Sequence, residues 1–117
     1  MPLDSDDPLR LDVFMSLWTK KNCGQVASCL SQGQGRSMRE CGWYEYEVVW
    51  DELAEFVIEA KNPILVHGGI ASIPHVIPEL CRILERASIQ YECEVYDEHQ
   101  NLILESSSPG THERSDS

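Results

Sequence analysis

The sequence predicts an α+β fold, a ferredoxin-like or related sandwich with one mixed or mostly antiparallel sheet and helices mainly on one face. Three observations predict it. Period-two alternation of apolar and polar residues recurs at Leu9–Trp18, Trp43–Trp50 and Ile89–Tyr96, the pattern of strands with one covered face. Segments with helical spacing fall between them. The chain then closes with two strand-like runs joined by a short polar turn, which favours an antiparallel finish.

A chain of 117 residues, 42% hydrophobic and 25% charged, fits one globular domain without a disulfide or metal staple. The domain is expected over residues 9–105. Residues 1–8 and 106–117, polar and turn-rich, read as flexible tails.

In Leu9–Trp18 the apolar residues Leu9, Leu11, Val13, Met15 and Leu17 alternate, which suggests a first strand, with a helix as the rival because Phe14, Leu17 and Trp18 also fit helical spacing. Asn22 is placed to cap a short helix over Gln25–Gln32, with Val26, Cys29 and Leu30 inward and Gly33 ending it. Gln34–Gly42 reads as a loop. The strand Trp43–Trp50 has Tyr44, Tyr46, Val48 and Trp50 on its apolar side and Trp43, Glu45 and Glu47 on the other.

Asp51–Lys61 predicts a helix, capped by Asp51 and buried through Leu53, Phe56, Val57 and Ala60, which Asn62-Pro63 stops. Ile64–His67 is a short apolar run suited to a central strand, and Gly68-Gly69 is expected to break it. A second helix begins near Pro74, buries Ile77, Leu80, Cys81, Leu84 and Ala87, and accommodates Pro78 if that residue lies in the first turn. The strand Ile89–Tyr96 turns through Asp97–Gln100 into Leu102–Leu104.

The formal net charge is -11, and its distribution is uneven. No Asp or Glu occurs between Val13 and Arg39. Glu40–Ala60 and Ala87–Glu113 are acidic without Lys or Arg. Such a chain repels nucleic acid phosphate and anionic lipid and attracts basic proteins through steering that salt weakens. Neither direct nucleic acid binding nor membrane association is expected.

Cys23, Cys29, Cys41, Cys81 and Cys93 show no CxxC spacing, and two of them fall on apolar stripes, so reduced thiols in a cytoplasmic protein are the expectation. The acidic start, Met1-Pro-Leu-Asp-Ser-Asp-Asp7, has no secretory pattern, and no apolar run reaches membrane-spanning length.

If the two Glu-x-Glu strands join one sheet, Glu45, Glu47, Glu92 and Glu94 form an acidic surface, with Trp43 and Tyr96 as aromatic anchors beside them. These six residues are the candidate partner-binding set. The function they suggest is a non-catalytic, acidic protein-binding module, such as an inhibitor or immunity-type protein. It would capture a basic partner or associate with itself as a homo-oligomer.

The alternative is a small-ligand protein or enzyme in which His67, Gly68, Gly69, Ser72 and His75 hold an anionic group at a strand-to-helix loop. The segment lacks the spacing of a P-loop or dinucleotide fingerprint, and no G-x-S-x-G elbow occurs anywhere. His67 and His75 are too far apart in sequence for the usual zinc pairs. No metal and no cofactor are expected.

Overall fold

The computed structural model describes residues 10–108. Its elements are β1 (Leu11–Trp18), α1 (Cys23–Leu30), β2 (Arg36–Gly42), β3 (Glu45–Trp50), β4 (Ala54–Glu59), β5 (Ile64–Ile70), α2 (Ile73–Arg86), β6 (Gln90–Tyr96) and β7 (Leu102–Ser107). The strands form one seven-stranded sheet in the order β2-β3-β4-β5-β1-β6-β7, and every neighbouring pair is antiparallel. This is an α+β fold with a larger sheet than four-stranded sandwiches have.

Alternation decides which side of each strand is buried. Val13, Met15 and Leu17 of β1, Phe56 and Ile58 of β4, Ile64, Val66 and Ile70 of β5, and Tyr91, Cys93 and Val95 of β6 belong to one core cluster. Val26, Ala27 and Leu30 of α1 and Val76, Ile77, Leu80 and Leu84 of α2 lie in the same cluster. Their burial is the main reason that two amphipathic helices of this length hold their shape. Trp50 anchors the α1 side, donating its indole N–H to the Leu30 carbonyl at 2.6 Å and meeting Phe56 edge-on at 5.3 Å between centroids.

Asn22 caps α1 as the sequence predicts, although the helix spans Cys23–Leu30 rather than Gln25–Gln32. Asn22 accepts from the Gln25 amide, and Gln25 reciprocates at the Asn22 amide, a capping box. The β6–β7 hairpin also forms. It runs past the expected boundary at Glu105, through Ser107, and buried Ser108 donates its amide to the Tyr91 carbonyl at 3.0 Å. The tail residues 1–8 and 109–117 lie outside the described residues.

Four expectations are corrected. Asp51–Lys61 is not a helix: Asp51 adopts a left-handed φ of 49° in a turn, and Ala54–Glu59 is strand β4. Its apolar residues fit both periods, but β3 and β5 pair with it on either side, and Ala54, Phe56 and Ile58 all become buried. Gln34–Gly42 is largely strand β2 rather than loop. Gly68-Gly69 does not break β5, which continues to Ile70. Pro78 lies in the second turn of α2, since Ser72 is the N-cap and Pro74 already occupies the first turn. The donor that Pro78 lacks would have faced the Pro74 carbonyl, and both prolines are solvent-exposed.

Candidate functional site

Residues that alternate with the core positions form the other side of the sheet. Cross-strand register arranges them in rows. One row runs Glu47, Val57, His67, Phe14, Glu94 and Glu105 from β3 to β7. The next runs Glu45, Glu59, Leu65, Ser16, Glu92 and Ser107. On the opposite flank Glu55, Asp12 and Tyr96 follow the same register. Glu45, Glu47, Glu92 and Glu94 therefore share one face.

They are not one cluster, however. β3 and β6 are separated by β4, β5 and β1, so the two glutamate pairs lie roughly 19 Å apart across four strand spacings. A groove of about 480 Å³ lies between them, lined by Phe14, Leu65 and His67 together with Glu59, Glu92 and Glu94. Phe14 is 47% exposed and packs T-shaped with Tyr96 at 5.7 Å between centroids, while the Tyr96 hydroxyl donates to Glu94 at 2.9 Å. That hydrogen bond to a carboxylate pushes the Tyr96 hydroxyl pKa up.

Trp43 is outside the strand, in the β2–β3 turn, and 90% exposed. It borders a second hollow together with Glu45, Glu59 and Lys61. The aromatic anchors consequently stand at different places on the face, Trp43 at its β3 end and Phe14 with Tyr96 beside β6. Trp18, also apolar and half-buried, pairs with Gln90 at the far end of β1.

Charge on this face is only partly balanced. Arg39 donates to Glu47 at 2.6 Å, and His67 and Lys61 both approach Glu59, at 2.8 Å and 3.5 Å. The carboxylates of Glu45, Glu55, Glu92 and Glu105 make no hydrogen bond or ion pair to another described residue. Register also sets carboxylates directly opposite one another, Glu45 against Glu59 and Glu94 against Glu105. Like charges so placed disfavour the folded state.

The His67 hydrogen bond holds the Glu59 carboxyl below its ordinary pKa, opposed by partial burial and assisted by Lys61. A depressed carboxyl contributes stability above its ordinary pKa and loses it as pH falls through the lowered value. The His67→Ala variant should therefore move the Glu59 titration midpoint upward, toward the ordinary carboxyl range. Carboxyl-carbon NMR measures this, and an unmoved midpoint would show that His67 does not set it.

Sequence reasoning missed Asp12, Glu55, Glu59 and Glu105 as members of this face. Glu55 and Glu59 were hidden by the helical expectation for Asp51–Lys61. The overlooked signal was the alternation of Ala54, Phe56 and Ile58 with Glu55, Val57 and Glu59.

The alternative set is dispersed. His67 projects onto the open face, where it meets Glu59. Gly68 and Gly69 are inside β5, flanked by β1 and β4 on both sides, so their amides belong to a central strand. A Cβ on Gly68 would come within 1.8 Å of the Glu55 carbonyl oxygen. Close backbone approach explains this glycine. Ser72 and His75 bond to each other at 3.0 Å at the start of α2. They stand beyond the end of β5, with Gly68, Gly69 and Ile70 between them and His67 in the strand.

Thiol chemistry receives no support from Cys93, whose pKa burial pushes up to about 12, with Cys81 and Glu94 adding to the shift. Among the described residues no His, Cys, Asp and Glu group has a metal-holding arrangement, and no helix is long and apolar enough to cross a membrane. The chain matches no protein-family model, no curated protein and no solved structure.

Proposed function

We propose that the protein is a non-catalytic binding module whose acidic, partly aromatic sheet face captures a basic protein. The observation that carries this reading is the row structure of that face: facing glutamates with few cationic neighbours flank a groove containing exposed Phe14. Burying such a face without cations would leave carboxylates desolvated and unpaired. A partner with Arg and Lys would relieve the facing charges, and Phe14, Tyr96 and Trp43 would contribute buried area. An inhibitor or immunity-type role is one form of this function.

The fold supports a specific architectural reading as well. With β2, β3 and β7 set aside, the order is β-α-β-β-α-β, and the remaining strands stand as β4-β5-β1-β6. That order supports reading the fold as a ferredoxin-like sandwich to which the β2–β3 hairpin is added on one flank and β7 on the other.

The test uses a short synthetic peptide of alternating arginine and tyrosine as a probe. Replacing Glu45, Glu47, Glu92 and Glu94 with Gln should weaken binding about tenfold or more, close to 1.4 kcal/mol, and flatten its salt dependence. Removing the same number of charges at Glu40, Asp51, Glu52 and Glu98, away from these rows, should leave most of the affinity. Isothermal titration of both variants decides the matter: equal losses would reduce the effect to bulk charge and reject the face.

A further inference from the structure

Within one groove on the helix side, the charge changes sign. A groove of about 440 Å³ lies between the end of α1 and the second half of α2, and Arg36, Arg82 and Arg86 line it together with Glu79. Arg36 is held in place on three sides. Its guanidinium lies 4.1 Å from the Trp50 ring centroid, one nitrogen donates to the Gln32 carbonyl at 2.9 Å, and another reaches Glu79 at 3.3 Å. Arg82 donates to the other oxygen of Glu79. These bonds hold the Glu79 carboxyl below its ordinary pKa, the Arg82 hydrogen bond most of all.

Arg86 stands one helical turn beyond Arg82, exposed, and its guanidinium has no hydrogen bond or ion pair to another described residue. Its place in the last turn of α2 suits the helix dipole. The dipole accounts for one cation at that end. It does not account for three guanidinium groups lining one groove with a single carboxylate, in a chain whose net charge is -11.

We propose that this groove binds a phosphate monoester carrying a small apolar body. Three guanidinium groups and one carboxylate leave two positive charges, and a phosphate monoester carries about -1.5 to -2 at neutral pH. Arg86 offers an unoccupied planar fork, the geometry that phosphate oxygens accept in pairs. Half-buried Ile83 and Ala87 line the same groove and supply contact for the apolar part. The site is independent of the acidic sheet face, because it uses the helix side and the opposite charge.

Phenyl phosphate is the probe, with phenol as the uncharged control, titrated into the full chain at millimolar concentration and followed by calorimetry and amide NMR. Phenyl phosphate should bind and shift the amides of α2 near Arg86, whereas phenol should not. Arg86→Gln, a change at an exposed position, should weaken binding about tenfold while lowering the melting temperature by no more than a few degrees, the loss of its dipole interaction. No binding of phenyl phosphate, equal binding of phenol, or undiminished binding by the Arg86→Gln variant would each overturn the proposal.

Discussion

Gly68→Ala should destabilise the protein by about 3 kcal/mol, the upper end of what overpacking costs. The added methyl carbon would fall 1.8 Å from the Glu55 carbonyl oxygen and 2.9 Å from its carbon, both backbone atoms of the adjacent strand. A flexible side chain could turn away from such a contact. A paired backbone in the middle of the sheet cannot, because β4 is fixed by β3 on its other side and β5 by β1. Relief requires β4 and β5 to separate, which breaks ladder bonds where the sheet is covered on both edges. Urea unfolding measures the effect as a lowered midpoint, and a change under about 0.5 kcal/mol, the size expected of an ordinary surface substitution, would show that the two strands part easily.

Trp50→Ala should cost still more, about 3–5 kcal/mol, the usual range for deleting a buried Trp. Against a total stability of about 5–15 kcal/mol this is a large share. The ring is 2% exposed, meets Phe56 edge-on, carries the Arg36 guanidinium and satisfies the Leu30 carbonyl at the end of α1. Trp50→Phe separates these contributions. It keeps much of the apolar area but leaves the Leu30 carbonyl without its buried donor, for a cost of about 1–3 kcal/mol. The same unfolding measurement on both variants tests the argument: if Trp50→Ala lost less than about 1 kcal/mol, the indole would not be what fastens α1 to the sheet.

Local pattern made much of the sheet readable. β1, β3 and β6 each bury one side and expose the other, so alternation alone assigned their faces and placed Glu45 and Glu47, or Glu92 and Glu94, together. The α1 cap was equally visible in Asn22, whereas its reciprocal bond with Gln25 was not. β2 was not, because Arg36–Gly42 is polar and largely exposed, and its strand form depends on pairing with β3 rather than on a pattern of its own. β4 carried two competing periods, and only neighbours distant in sequence chose between them. The glycines of β5 read as a break, since sequence does not show that a second backbone needs the space. The candidate site suffered from the same cause: which carboxylates share a strand face is local information, whereas the separation of the glutamate pairs depends on strand order.

Both border strands carry their ladder's irregularity. On β2 the register shifts between Glu40 and Gly42, leaving Cys41 as the extra residue, and on the β6–β7 hairpin it shifts where Leu102 and Leu104 face Tyr96 and Val95, leaving Ile103 over. An open sheet has two unpaired margins, and each is a template on which another chain can polymerise. Here the straight templates are short, and each bends at its bulge. The route from encounter to fibre is thus interrupted at both ends of the sheet, so that contact through its open face would be a matter of side chains rather than of shared backbone.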